Sequence, residues 1–188
     1  MNRTLCRFAV GAALALGLSA PSLAASWTVD AAQSSLGFEA SMNNTGFQGR
    51  FEDWRAEISF DPADLSAAKA SVTINMSSAR TGDATRDAAL PNGDWFDVSG
   101  FAEATFETTA FRAMGGDAYE ADGILTLRGV AKPVTLPFTL TIADGVAVMD
   151  GAVTLNRGDF GVGQGEFTGD TPVALAVKVV VHIKATAQ

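Results

Sequence analysis

Residues Val173 to Lys184 read VALAVKVVVHIK. Val173, Leu175, Val177, Val179, Val181 and Ile183 share one parity, and the other includes Lys178, His182 and Lys184. Successive side chains of a strand point to opposite faces, so this stretch is a strand with one apolar face and one wet face. Val134 to Ala143, VTLPFTLTIA, repeats the pattern, with Val134, Leu136, Phe138, Leu140 and Ile142 against Thr135, Pro137, Thr139 and Thr141. Shorter runs agree: Leu36, Phe38 and Ala40; Trp54, Ala56, Ile58 and Phe60; Val72, Ile74 and Met76; Ala104 and Phe106; Leu125 and Leu127. Turn-forming residues at Asp61-Pro62, Gly115-Gly116-Asp117 and Asp144-Gly145 separate them. The spacing predicts about eight or nine strands, with no linker or repeat to divide them.

Long antiparallel strands in one domain must close or sandwich to hide their edges. The expected fold is all-β, an eight-stranded antiparallel barrel. A barrel of that size is either filled by its own side chains or holds one slender ligand. Strands of about twelve residues would make it roughly 40 Å long, or nearer 30 Å along a tilted axis. The exception to period two is Thr81 to Asp97, TGDATRDAALPNGDWFD. There Asp83 can cap a short helix that runs to Leu90 and is stopped by Pro91. A second turn over Gly93 to Asp97 carries Trp95 and Phe96. Leu90, Trp95 and Phe96 suit either a lid over one barrel end or ordinary packing of a crossover.

The first 24 residues read as a secretory signal. Arg3 and Arg7 precede the apolar run Phe8 to Leu18, and small residues follow to Ala24. That run is too short for a comfortable membrane span, which needs about 20 residues. Cys6 lies ahead of it, so the domain over residues 25–188 has no cysteine. The chain of 188 residues carries 13 Lys and Arg against 21 Asp and Glu. Loss of Arg3 and Arg7 leaves the domain near −10, a charge that repels nucleic acid and anionic lipid surfaces. The expected location is the periplasm.

Reactive groups are scarce. The single histidine, His182, sits on a wet face, which reads as a solvated surface residue. One histidine and no domain cysteine exclude a zinc site of ordinary type, and no Gly-x-Ser-x-Gly elbow is present. The expectation is a protein that is not an enzyme, with no catalytic residues and no metal. The glycine-rich stretch Asn156 to Asp170, NRGDFGVGQGEFTGD, matches neither a dinucleotide fingerprint nor a Walker loop. It leads to Pro172 and a strand, with no helix N-terminus to take a phosphate. It reads as a barrel corner and candidate portal with Phe160 and Phe167 aimed at the bore, and its Arg157-Gly158-Asp159 as coincidence more than adhesion signal.

Several stretches together resemble the YceI-like family of exported lipid-binding proteins. They are Asp30, Ser34 and Phe38 in an opening strand, Gly49-Arg50-Phe51, and the insert from Thr81 to Asp97. To these are added Leu127-x-Gly129-Val130-x-Lys132-Pro133-Val134 and Asn156-Arg157-x-Asp159-Phe160-Gly161. The resemblance spans nearly all of residues 25–188. It implies a lipocalin-like barrel whose bore holds a polyisoprenoid chain, either a long-tailed quinone such as ubiquinone or a prenyl phosphate, with no catalysis and no other cofactor. Gly163 to Phe167 resembles a subgroup found with cytochrome b561-type membrane proteins, which implies such a partner; oligomeric state is left open, a homodimer included. Gln33 departs from the family, whose members often have His there.

The residues expected to meet the lipid are the inward-facing ones. They are Phe38, Phe51, Ile58, Ile74 and Met76 in the first strands, then Phe106, Leu125, Leu127, Phe138 and Leu140, and finally Leu155, Val177 and Val179. Leu90 and Phe96 join them from the insert, and Phe160 from the corner. The same residues would serve equally as plain core. Two other readings stand beside the carrier: a stress-related structural barrel with no ligand, and a small outer-membrane barrel. The second needs an apolar outer band and a polar bore, which the charged wet faces oppose.

Overall fold

The computed structural model describes residues 25–188; the signal-peptide reading of residues 1–24 lies outside them. The strands are β1 (Ser26–Val29), β2 (Ser35–Met42), β3 (Thr45–Phe51), β4 (Trp54–Ser59), β5 (Lys69–Asn75) and β6 (Ala79–Arg80). After the short helix α1 (Ala84–Ala89) come β7 (Glu103–Gly115), β8 (Ala118–Leu127), β9 (Val130–Ala143), β10 (Val146–Asn156) and β11 (Ala176–Ala187).

These segments make eight staves. β1 and β2 lie end to end along one edge of β11, through Trp27↔Ala187 and Val181↔Leu36. β3 and β4 form the next stave, broken at Glu52-Asp53, and β5 and β6 the third, joined by a 3₁₀ turn over Met76–Ser78. The remaining five strands are continuous. Pairing runs β1–β4–β5–β7–β8–β9–β10–β11 and closes through β1–β11, all between antiparallel neighbours. This is an up-and-down barrel of eight staves. Two-residue hairpins at Asn43-Asn44, Arg128-Gly129 and Asp144-Gly145 have φ between 50° and 75°, the left-handed geometry that matches strand twist.

Alternation does what the sequence pattern demands. The apolar parity of every stave turns inward, and the outer face carries ion pairs such as Arg55–Glu103 (3.5 Å) and Lys178–Glu39 (3.2 Å). His182 is on that outer face, where its Nδ1 lies 2.7 Å from Oδ1 of Asp150, directly across the ladder. Gln33 likewise stays outside, donating to Asp30 and accepting from Lys184.

At one end, called the corner end, lie the insert between β6 and β7 and the loop between β10 and β11. Asp83 caps α1 as expected, its Oδ1 accepting from the amides of Thr85 and Arg86 at 3.0 Å each. Asp87 Oδ1 accepts from the amide and hydroxyl of Thr81 at 2.7 and 2.6 Å. The second turn is irregular rather than helical, with the amides of Trp95 and Asp97 bonded to the Asn92 carbonyl.

Candidate functional site: an apolar bore

Inside the barrel is a cavity of about 290 Å³. Its walls are the inward faces of the staves, and two clusters close its ends. At the corner end Leu90 and Phe96 of the insert and Phe160 and Val162 of the loop pack with Leu36, Ile74 and Met76. The lid reading of Leu90 and Phe96 therefore holds in geometry: both touch the cavity, and the Phe96 ring lies 6.2 Å from that of Phe51. At the far end Phe60 makes edge contacts with Phe111 (5.2 Å) and Tyr119 (5.7 Å), and Phe138 stacks on Tyr119 (5.6 Å). Trp27 Nε1 donates to the Phe60 carbonyl at 2.9 Å, which fixes this plug to the seam strand β1.

Between the plugs Val72, Phe106, Leu125, Val134 and Val153 face inward yet are only partly buried. An inward side chain of a closed barrel keeps accessible surface only where it borders a void. Apolar voids of this kind stay dry and accept apolar guests. The wall offers almost no polar group. Thr108 spends its hydroxyl on Ala70, accepting from its amide (2.7 Å) and donating to its carbonyl (3.1 Å). Room is made by close fitting: Gly49 stands opposite Phe38 across the β2–β3 ladder, and a β-carbon there would overlap the Phe38 ring. That ring can therefore lie along the wall instead of blocking the bore.

All sixteen residues singled out from the sequence line this cavity, from Phe38 on β2 to Val179 on β11. Phe167 does not; it packs against Trp95 with centroids 5.0 Å apart, outside the lining. Trp54, read from the sequence as part of an apolar strand face but not as a lipid contact, is also on the wall; sequence reasoning missed Trp27 and Phe111 there, and above all Arg157.

Arg157 opens the glycine-rich loop and is only 5% exposed. Its Nε donates to the Ala174 carbonyl (3.0 Å), Nη1 to Val162 (2.7 Å), and Nη2 to Gly169 and Val173 (2.8 Å each). Its guanidinium lies 5.5 Å from the Trp95 ring. Burial pushes its pKa down, and the charge of Asp170 partly restores it. The Arg-Gly-Asp tripeptide is thus not presented for adhesion, because its arginine is the internal tie of the loop. The loop is bound in turn to the insert: the amides of Gly163 and Gln164 both donate to the Asp94 carbonyl (2.8 Å), and Arg128 Nη1 donates to Trp95 (2.6 Å). Insert and loop form one cap.

Acid should loosen that cap. The Arg86 amide holds the Asp83 carboxyl below its ordinary 3.8, and the Thr81 hydroxyl and amide do the same for Asp87. A depressed folded-state pKa contributes stability that is whole above the unfolded value and fades as pH falls through the folded one. The insert is expected to be fully held at neutral pH and to lose amide protection over residues 81–98 only below about pH 4. Hydrogen exchange at pH 7 and pH 3, corrected for intrinsic rates, checks this; equal protection at both would overturn it.

A sequence profile of the YceI-like domain matches residues 27–187. The chain belongs to the YceI-like family. This YceI-like chain is 37% identical over 172 residues to a UPF0312 protein of Pseudomonas aeruginosa, covering 86% of this chain and 88% of that one. Among solved structures it superposes on BcnA of Burkholderia cenocepacia with a TM-score of 0.82 at 33% identity, covering 85% of this chain and all of that one. A polyisoprenoid binding domain from Saccharophagus degradans shares the fold, with a TM-score of 0.68 at 15% identity and coverage of 88% and 99%. The YceI-like resemblance drawn from Asn156 to Gly161 and the other short stretches is confirmed, as is the eight-stranded barrel it implied.

Proposed function

We propose that this chain is a periplasmic binding and carrier protein for a polyisoprenoid lipid, whose tail lies in the barrel bore. The observation that carries the reading is the cavity itself: about 290 Å³, closed by two aromatic plugs and walled by apolar side chains. That volume is at the small end of ligand pockets, which run to about 300–1,000 Å³, and its lining runs from Leu90 and Phe160 at the corner end to Phe60 and Phe111 at the far end, as a chain-like guest needs. Each buried methylene contributes about 0.8 kcal/mol, against which stand the frozen rotors and lost freedom of the tail. A relative of the same fold that is named a polyisoprenoid binding domain supports the same ligand class. The periplasmic location is supported by the signal-like residues 1–24. The likeness of Gly163 to Phe167 to the cytochrome b561-associated subgroup supports a long-tailed quinone as one candidate beside a prenyl phosphate, with a cytochrome b561-type protein as partner. The outer face, with its ion pairs, and the apolar bore are the reverse of the polarity a transmembrane barrel needs.

The direct test is to extract purified protein with organic solvent and search the extract for prenyl lipid by mass spectrometry, then to titrate in a long-tailed quinone. Trp27 and Trp54 line the bore, so their fluorescence reports entry. Absence of co-purified lipid together with no response to added quinone or prenyl phosphate would sink the carrier reading. Ala40 and Ala56 also line the cavity. The double replacement Ala40→Phe with Ala56→Phe is expected to weaken binding by tenfold or more, because each ring takes volume the tail needs; calorimetric titration showing wild-type affinity would remove those faces from the site.

A further inference from the structure

The barrel wall is not uniformly zipped. Pairing between β9 and β10 runs from Ala143↔Val146 to Phe138↔Gly151 and goes no further. Beyond that point β9 continues to pair with β8 down to Val130, and β10 with β11 up to Asn156. The two halves of the wall therefore part at the corner end, between residues 130–137 and 152–156.

The parting has a cause in the sequence. The two-residue turn at Asp144-Gly145 makes Ala143 and Val146 a hydrogen-bonded pair, so every second residue of β9 from Ala143 turns its backbone nitrogen toward β10. Two of those positions are Pro137 and Pro133, which have no N–H to give. The inner lips of the slot, Val134 and Leu136 on β9 and Val153 and Leu155 on β10, belong to the bore. Its outer lips, Ala131, Pro133, Thr135 and Pro137 facing Ala152 and Thr154, carry no charge on a surface otherwise rich in it.

Among the described residues of the two lips, 130–137 and 152–156, the one cation is Lys132. Lys132 lies opposite Leu125, a bore residue, and shares the parity of Val130 and Val134, so strand alternation places it on the bore side of β9. It is half-buried, and among the described residues its side chain has no hydrogen bond or ion pair. An ammonium on a four-carbon stem can lay the stem along apolar wall and leave its charge at an opening.

We propose that the β9–β10 slot is the portal at which the bore ligand's head group is held, that Lys132 holds it, and that the head group is an anionic phosphate. This rests on the reading of the bore as a prenyl-lipid site and adds the place and chemistry of the polar end. The tail runs from the slot between Val134 and Leu155 into the bore. The phosphate stays at the rim, where water still reaches it and the lysine supplies a charge-assisted bond.

The test uses two probes with the same tail, geranylgeranyl phosphate and geranylgeraniol, titrated into the full-length mature protein with Trp fluorescence as readout. The wild type is expected to bind the phosphate roughly tenfold to a hundredfold more tightly, the range of a hydrogen bond to a charged group. Lys132→Gln should bind the two alike, and Lys132→Arg should keep the preference. Equal affinities in the wild type, or a preference that survives in Lys132→Gln, would overturn the proposal while leaving the bore reading intact. If neither probe binds, the bore reading falls and the portal falls with it.

Discussion

Replacing Arg157 with alanine is expected to destabilise the protein by about 3–5 kcal/mol and to release the loop between β10 and β11. Four carbonyls, of Val162, Gly169, Val173 and Ala174, converge on this one side chain. Each buried acceptor left without a donor costs about 1–3 kcal/mol, and water entering the vacated space recovers part of the sum. Arg157→Lys should fall between the two, because a single ammonium cannot reproduce the planar fork that reaches both sides of the loop. Gly163 approaches the same defect from outside: a β-carbon there would overlap the Arg157 guanidinium, and its φ of 88° is strained for any other residue. Urea unfolding gives the stability change, and limited proteolysis shows whether cuts appear within residues 158–175. An Arg157→Ala protein within 1 kcal/mol of wild type, uncut in that loop, would mean that the guanidinium is not what holds the corner.

Filling the bore is expected to raise the melting temperature by roughly 10 °C. Residual cavities cost about 24 cal/mol per Å³, so about 290 Å³ amounts to something on the order of 7 kcal/mol. That is a large share of the roughly 5–15 kcal/mol that separates folded from unfolded chains. A prenyl tail restores only part of the missing contacts, since it must also be ordered. If half is recovered, and 1 kcal/mol moves a domain of this size by about 2–4 °C, a shift near 10 °C follows. Calorimetry of solvent-stripped protein before and after loading with a prenyl lipid provides the check. A shift under about 2 °C at saturation would show that the tail does not occupy the void.

The bore was legible in the sequence because one rule writes it. Period two says which side of each strand faces in, and from Phe38 through Phe106 to Val179 that rule needed no knowledge of neighbours. The insert was legible for a different reason: Asp83 and Pro91 mark its start and stop chemically. Arg157 left no such trace. Its partners are backbone carbonyls 5 to 17 residues away, which carry no side-chain signature, and its position in an Arg-Gly-Asp tripeptide drew the eye outward. Phe167 misled for a related reason, since an aromatic residue in a glycine-rich loop has no period and Trp95 offered it a nearer surface than the bore. The slot did have a signal. Pro133 and Pro137 share one parity of a strand otherwise fit for a barrel interior, and prolines so placed mark an edge.

The seam between β1 and β11 sets the order in which this protein can be finished. Apart from the ladders of β1 and β2 on β11, every ladder joins staves that follow one another in the chain, so hairpins such as β7–β8 and β10–β11 can form from local sequence. That first stave meets β11 across the whole length of the chain, through Trp27↔Ala187, Leu36↔Val181 and the Gln188 amide on the Ser26 carbonyl at 2.9 Å. A chain emerging N-terminus first, from a ribosome or through a membrane channel, therefore cannot close its cylinder until β11 has arrived. Until then the apolar parity of seven staves lies open to any chaperone, or to any lipid, that reaches it first.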